Sequence, residues 1–116
     1  MTVAEAAEKI EGTIMAGAAA SNNEIKGGYA SDLLSDVMAN SCEGDLWVTL
    51  QKHVNIVAVA QLNGLAGIVL VNGRQPDSDT AARAEELGIP IVSSPLQAFD
   101  IAGALYALGI RGRRSV

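Results

Sequence analysis

Polar side chains follow three candidate strands of the chain at the points where the strands end. In open α/β sheets, ligands bind in the crevice beyond these carboxyl ends. Arg74 is suited to pair with a phosphate or a carboxylate. The same side chains could instead cap helices and satisfy loop amides, and both interpretations remain open. The candidate ligand-binding set at this edge is Thr49, Gln51, His53, Asn72, Gly73, Arg74, Ser93 and Ser94.

A glycine pair, Gly27-Gly28, comes shortly before Ser31, the expected N-cap of a helix over residues 32–40. Backbone amides near Ser31 could form a cradle for an anion at the helix N-terminus. Alternatively, the pair forms a tight turn that requires positive φ. Gly27, Gly28 and Ser31 therefore join the candidate ligand-binding residues.

Catalytic and metal motifs are weak in this sequence. Asp32 and Asp36 stand four residues apart, and His53 could join them at a metal, but the spacing fixes no third ligand, so we expect no metal and no cofactor. The chain contains neither the G-x-x-x-x-G-K-[ST] phosphate loop nor a nucleophile elbow. The enzyme alternative, a phosphotransferase or hydrolase, rests on His53 at the start of a helix.

Composition limits the function classes. The chain has 116 residues, enough for one domain, and a net charge of -5, which argues against nucleic-acid binding. The sequence contains no membrane-spanning run and no signal peptide, and Cys42 is its only cysteine, so we expect a cytoplasmic protein. We predict a domain over residues 1–110 and a short basic, solvated tail over 111–116.

A strand, a helix and a strand form the centre of the predicted fold. Asp45–Leu50 and Ala66–Val71 are apolar strand candidates, and a parallel pair needs the crossover helix that we place from near His53 to Asn63-Gly64. Strands and helices alternate through the second half of the chain, which predicts an α/β fold with a mainly parallel sheet. The other predicted elements are a capped helix over 2–10, strands over 13–16, 25–30 and 89–93, a helix over 32–40 that buries Leu33, Leu34, Val37 and Met38, and helices over 80–87 and 95–108.

Three segments stand in an order that resembles the DRTGG domain family over nearly the whole chain. They are Gly27-Gly28-Tyr29-Ala30-Ser31-Asp32-Leu33-Leu34-Ser35-Asp36-Val37-Met38, then Gly44-Asp45-Leu46-Trp47-Val48-Thr49, then Val71-Asn72-Gly73-Arg74 with Gly88-Ile89-Pro90-Ile91. The family includes the N-terminal, non-catalytic domain of HPr kinase/phosphorylase-like proteins, regulatory inserts of some phosphotransacetylases and CBS-domain pyrophosphatases, and stand-alone proteins, which this chain resembles. Lys52-His53 and Val71-Asn72-Gly73 replace the usual Asp-Arg and Thr-Gly-Gly.

The resemblance implies a three-layer α/β/α fold like the N-terminal domain of HPr kinase, a tendency to form dimers and a regulatory role without catalysis. Similar stand-alone proteins are often encoded beside iron-hydrogenase components, which implies a hydrogenase-related partner. We therefore interpret the chain as a non-catalytic regulatory module. Its expected occupant is a small anionic or nucleotide ligand at the strand carboxyl edge, a partner protein, or both. The alternative is a small enzyme that uses His53.

The last helix carries two apolar stripes, one through Phe99, Ala102 and Tyr106 and another through Ile101, Leu105 and Leu108. One stripe is enough to pack a helix on its own sheet. The second stripe predicts a symmetric homodimer, with a charge at Leu105 expected to break the dimer while the fold survives.

Overall fold

The computed structural model describes residues 1–113 and contains a five-stranded sheet. Strands β2 to β5 are mutually parallel and lie side by side in chain order, while β1 pairs with β5 in the antiparallel direction at the far edge. The prediction of a mainly parallel sheet is confirmed. The strands are β1 (Thr13–Ala16), β2 (Gly27–Ala30), β3 (Asp45–Thr49), β4 (Gly67–Leu70) and β5 (Ile91–Ser93).

Helices cover both faces of the sheet, which confirms the three-layer α/β/α arrangement. One core cluster joins α1 and α5 to the side chains of Leu46, Val48 and Val69. The other cluster joins α2, α3 and α4 to the opposite face, where Trp47 and Ile68 lie. The helices are α1 (Val3–Lys9), α2 (Leu34–Asn40), α3 (Asn55–Asn63), α4 (Ser78–Leu87) and α5 (Ala98–Ala107), with a short 3-10 turn at Ala18–Ala20.

Helix ends follow the local signals of the sequence. Thr2 and Glu5 form the predicted capping box at the start of α1, with both reciprocal hydrogen bonds present. Helix α3 ends at Gly64 in the left-handed region, at φ 64°. The β-branched residues of α3 favour a strand by propensity, but β3 and β4 are parallel and need a crossover, so the tertiary requirement prevails.

The glycine pair occupies a different position from either prediction. Gly27 and Gly28 lie inside β2, paired in register with Asp45 and Leu46, and neither has a positive φ. They form neither a tight turn nor an anion cradle before a helix. Both expectations were wrong. A side chain at either position would come close to the distant C-terminal segment, residues 110–113, which packs against this strand.

Helix α2 begins later and buries less than predicted. Its N-cap is Leu33, and Ser31 instead accepts a hydrogen bond at Oγ from the Leu33 amide at 3.2 Å. Asp32 therefore precedes the helix and does not share a helix face with Asp36. Of the expected apolar face, Leu33 is 64% exposed and Met38 47% exposed, while Val37 is fully buried.

The two stripes of α5 face in opposite directions. Ile101 and Leu105 are buried against the protein's own sheet, whereas Phe99 is 86% exposed and Tyr106 59% exposed. The choice of Leu105 as the residue that tests a dimer was wrong, because a charge there would enter the core of the monomer. The unpartnered stripe is that of Phe99 and Tyr106.

The end of the chain was predicted as a solvated tail; Arg111 and Arg113 are exposed, but both also contact the domain. The Arg111 carbonyl accepts a hydrogen bond from Gly28 N at 3.0 Å, and Arg113 pairs with Asp45 at 2.8 Å. Arg114 and the two residues after it lie outside the described residues, and the domain boundary at residue 110 stays a prediction. Within residues 1–113, no helix is long and apolar enough to cross a membrane.

Candidate functional site

A cavity of about 260 Å³ lies at the carboxyl ends of β2, β3 and β4, the edge at which the sequence predicted a ligand site. Val48 and Val71 supply apolar wall, and the first residue of α5, Ala98, lies at the rim. The polar lining is Ser31, Asp32, Thr49 and Asn72. Three of these four residues, Ser31, Thr49 and Asn72, are among the candidates predicted from the sequence. They come from the ends of β2, β3 and β4, which the fold brings together at this cavity.

Asp32 organises one side of the cavity. Its Oδ1 accepts hydrogen bonds from the Thr49 hydroxyl at 2.9 Å and from the Leu50 amide at 2.8 Å. Gln51, another candidate residue, donates from Nε2 to the Asp32 carbonyl at 3.0 Å and so supports this loop. The sequence interpretation missed Asp32 because it placed this residue in the first turn of α2. Asp32 follows the end of β2, just as polar residues follow β3, and this position could have identified it as a candidate.

Asn72 lines the cavity, and Gly73, the next residue, does not. Both residues have left-handed backbone conformations, at φ 57° and 68°. Their amides donate to the carbonyls of Leu96 and Ser94 at 2.9 and 2.7 Å. These amides are therefore occupied and cannot cradle a phosphate. Within residues 1–113, no hydrogen bond engages the Asn72 side chain, which leaves its amide group available to a ligand at the cavity.

Ser93, Ser94 and Arg74 do not line the cavity. Ser94 is fully buried and donates from Oγ to the Ile10 carbonyl at 2.7 Å, joining β5 to the end of α1. Ser93 donates from Oγ to the Arg74 carbonyl at 2.6 Å. Both serine hydroxyls bond backbone carbonyls, which agrees with the alternative that these polar side chains have a structural role. The Arg74 side chain is exposed, and no described carboxylate forms an ion pair with it.

His53 is exposed outside the cavity and lies beside an acidic residue. Its side chain is 70% exposed, and Nδ1 lies 3.3 Å from the nearer carboxylate oxygen of Asp77. Lys52 approaches the other oxygen of Asp77 at 3.6 Å. In the described part of the chain, no three His, Cys, Asp or Glu side chains are grouped in a way that could hold a metal ion. His53, Asp32 and Asp36 therefore do not assemble as one ligand set.

The loop that carries Ser31 is fixed from behind by a polar cluster. Hydrogen bonds from Ser31, Tyr29 and Asn40 lower the pKa of Asp36 below its usual value. The Tyr29 hydroxyl donates to this carboxylate at 2.8 Å, and desolvation followed by the same bond raises the pKa of Tyr29. Trp47 adds a hydrogen bond from Nε1 to the Ser31 carbonyl at 2.8 Å. The strand end is thus held in place before any ligand arrives.

The cavity has two electrostatically different sides. Asp32 is the one ionisable side chain among its described lining residues, and its carboxylate accepts hydrogen bonds from donor groups. At the rim, the N-cap residue of α5, Gln97, forms no side-chain capping hydrogen bond, so amides of the first turn are left without a cap at the positive end of the helix dipole. Asp100 lies in the same turn and brings a negative charge to it. The arrangement suits a ligand with hydroxyl or amino donors at one end and an anionic group at the other.

Comparison with known proteins identifies a family and a relative with the same fold. The model of the family described as the DRTGG domain matches residues 5–108. One structural match is a crystal structure of the CBS and DRTGG domains of the regulatory region of Clostridium perfringens pyrophosphatase, complexed with the activator diadenosine tetraphosphate. The TM-score is 0.71 at 11% identity, over 90% of this chain and 45% of the other. This likeness shows the fold. No curated protein sequence matches the chain.

Proposed function

We propose that this chain, which belongs to the DRTGG domain family, is a non-catalytic regulatory module that binds a nucleotide in the cavity at the carboxyl ends of β2, β3 and β4. The observation that carries the proposal is the pairing of a carboxylate, Asp32, with the open N-terminus of α5 around one cavity. The pyrophosphatase relative is a regulatory region complexed with the activator diadenosine tetraphosphate, which supports the same class of ligand.

The two sides of the cavity favour a nucleotide over a simple anion. A free phosphate beside Asp32 would be repelled, because the two charges have the same sign. Ribose hydroxyls or a base amino group can instead donate to Asp32, while the phosphate lies toward the α5 N-terminus. The volume of about 260 Å³ is slightly below the usual range for small-molecule sites, so part of the nucleotide remains outside.

A thermal-unfolding screen tests this proposal with nucleosides, nucleotides and inorganic phosphate. A nucleotide at 100 times its dissociation constant should raise the free energy of unfolding by about 2.7 kcal/mol. The effect should be lost in Asn72→Gly, which removes the side-chain amide and keeps a residue that tolerates φ 57°. Asp79→Asn, on α4, is the control. The proposal would be contradicted if inorganic phosphate alone stabilised the protein, or if none of the nucleotides did.

A protein partner is the second candidate function, and exposed leucine and methionine side chains favour it. Leu62 is 69% exposed at the end of α3, next to Asn63, whose amide donates to the Met38 carbonyl at 3.0 Å. This hydrogen bond joins α3 to α2, and each of the two helices carries one of the exposed side chains, Leu62 on α3 and Met38 on α2. The hydrogenase-related partner implied by the family resemblance belongs to this candidate. Co-purification that is lost in Leu62→Glu would support it, and unchanged co-purification would contradict it.

The enzyme alternative depends on His53, which is 70% exposed and does not line the cavity. Nothing in the described geometry places a nucleophile and a substrate cavity beside this imidazole, so the alternative has less support than binding. Assays with phosphoryl donors and generic esters test it. Turnover that His53→Ala abolishes would overturn the regulatory proposal.

A further inference from the structure

The C-terminal strap, defined as residues 110–113, lies along the free edge of β2. Gly28 N donates to the Arg111 carbonyl at 3.0 Å, so the strap adds a strand-like contact to this edge. The Arg111 guanidinium lies 3.8 Å from the centre of the Tyr106 ring and donates to the Tyr106 carbonyl. The strap also forms one wall of a mostly apolar groove of about 130 Å³ between β2 and α5.

The strap ends on a buried carboxylate. Asp45 is fully buried at the start of β3, and its Oδ1 accepts a hydrogen bond from Arg113 Nη2 at 2.8 Å. Oδ2 accepts from the Cys42 amide at 2.7 Å. Arg113 is the one cation paired with Asp45 in the described residues. Because an unpaired buried charge is costly, Asp45 needs a positively charged occupant here.

The surroundings of Asp45 fit a guanidinium group. Arg113 Nη2 donates to the Glu43 carbonyl at 2.6 Å as well as to Asp45, so two acceptors converge on one guanidinium nitrogen. Gly27 forms the floor: a Cβ at this position would lie 2.5 Å from Arg113 Nε and 2.8 Å from Asp45 Oδ1. This contact explains the glycine in β2. The arginine cradle, defined as Gly27, Glu43 and Asp45, leaves room for an arginine side chain only because residue 27 has none.

We propose that the arginine cradle is a binding site for an arginine on an extended segment of a partner protein, and that Arg113 occupies it in cis as a built-in competitor. Asp45 is fully buried at the start of β3, whereas Arg113 keeps 35% of its side chain exposed. Release of the strap frees both the cradle and the outward amide of Gly28. An incoming segment then gains a β2 backbone contact and an arginine contact together.

The acidic character of the chain, with a net charge of -5, favours a basic segment as the occupant. The proposal concerns the edge of β2 near its start, on the Gly27 side, and not the carboxyl-edge cavity. It is therefore independent of the nucleotide proposal, and either can fail without the other.

Chemical rescue tests the cradle. Arg113→Ala should lower the Tm by at least about 4–8 °C, because it leaves the buried Asp45 carboxylate without its cation. Millimolar ethylguanidinium should recover part of that loss in Arg113→Ala. It should not raise the Tm of the wild type or of Arg111→Ala, the matched arginine control. Absence of rescue, or equal rescue by ethylammonium, would overturn the cradle as a guanidinium site.

Peptide binding tests the partner claim. A labelled peptide with the sequence of residues 109–113, Gly-Ile-Arg-Gly-Arg, should bind full-length Arg113→Ala at least about tenfold more tightly than the wild type, a difference of 1.4 kcal/mol. A peptide with lysine as its last residue should bind less tightly, because Arg113 reaches both acceptors through Nη2 while its Nε lies over Gly27, a geometry that a lysine side chain does not reproduce. Equal affinity for wild type and variant, or for both peptides, would contradict the proposal.

Two further results separate the occupants. If Asp45→Asn combined with Arg113→Ala still folds by circular dichroism, it should lose the arginine peptide, and retained binding would overturn the assigned site. If wild type is a dimer that Arg113→Ala converts to monomer, the occupant is the strap of a second copy, which overturns the partner-protein claim. An unchanged mass in light scattering supports it.

Discussion

Asp32 and Ser94 show how similar polar residues at strand ends take different roles. Ser94 turns its hydroxyl inward to the Ile10 carbonyl, so it belongs to the core. Asp32 uses one carboxylate oxygen for the Thr49 hydroxyl and the Leu50 amide, which leaves the group exposed at the cavity. The direction of the side chain thus decides whether a polar residue after a strand enters the core or faces a cavity. Sequence patterns do not specify that direction.

Asp36 gives a prediction about pH at the residue scale. Its pKa is lowered from 3.8 in the folded protein by the hydroxyls of Ser31 and Tyr29, with a further contribution from Asn40. A depressed pKa contributes stability that is present above the unfolded value and is lost as the pH falls through the folded value. Urea unfolding at pH values from neutral to about 3 should therefore show less loss of stability on acidification in Tyr29→Phe than in the wild type. Identical pH profiles would contradict this assignment.

At the scale of elements, the sequence predicted types and order well and boundaries less well. Helix α3 could be predicted because a parallel pair of strands needs a crossover and because Asn63-Gly64 is a clear stop. The role of Gly27-Gly28 could not be predicted, since the contact that requires Gly27 comes from Arg113, far away in sequence. Asp32 was missed for a related reason: α2 begins at Leu34, and the loop before it is fixed by long-range hydrogen bonds.

Gly103 gives a prediction for helix α5. It lies in the helix interior on the exposed side, and a Cβ there would meet nothing within 4 Å. Gly103→Ala should therefore stabilise the fold by about 0.5–1 kcal/mol in urea unfolding, by reducing the entropy lost on helix formation. Gly88→Ala is the matched control: it also has open space, but its φ of 69° makes the change destabilising. The measurement is made in the Phe99→Glu background, which should be monomeric, and destabilisation by Gly103→Ala there would contradict the prediction.

At the scale of the whole molecule, the exposed stripe of α5 supports the predicted homodimer. Phe99 and Tyr106 are large apolar side chains on one exposed face, with the small residues Ala102 and Gly103 between them. Ile101 and Leu105 already cover the sheet, so this stripe is left for a second surface. The stripes could be predicted from sequence, but which of the two faces inward depends on how α5 docks on the sheet.

Light scattering tests the dimer. Wild type at tens of micromolar should have about twice the monomer mass of 12.0 kDa. Phe99→Glu should give the monomer mass with an unchanged circular dichroism spectrum, since Phe99 is 86% exposed. Leu105→Glu should instead unfold the chain, because Leu105 is buried. A wild-type mass of 12.0 kDa would contradict the prediction.

The nucleotide site is tested most directly by backbone amide chemical shifts recorded by NMR during titration with an adenine nucleotide. Saturable shifts are expected at residues 30–32, 49–51 and 71–73 and at the first turn of α5, with little change at His53 and Ser94. In Asn72→Gly the same titration should require a higher nucleotide concentration. Saturable shifts centred on His53, or no shifts in the wild type, would contradict a nucleotide site at the carboxyl edge of the sheet.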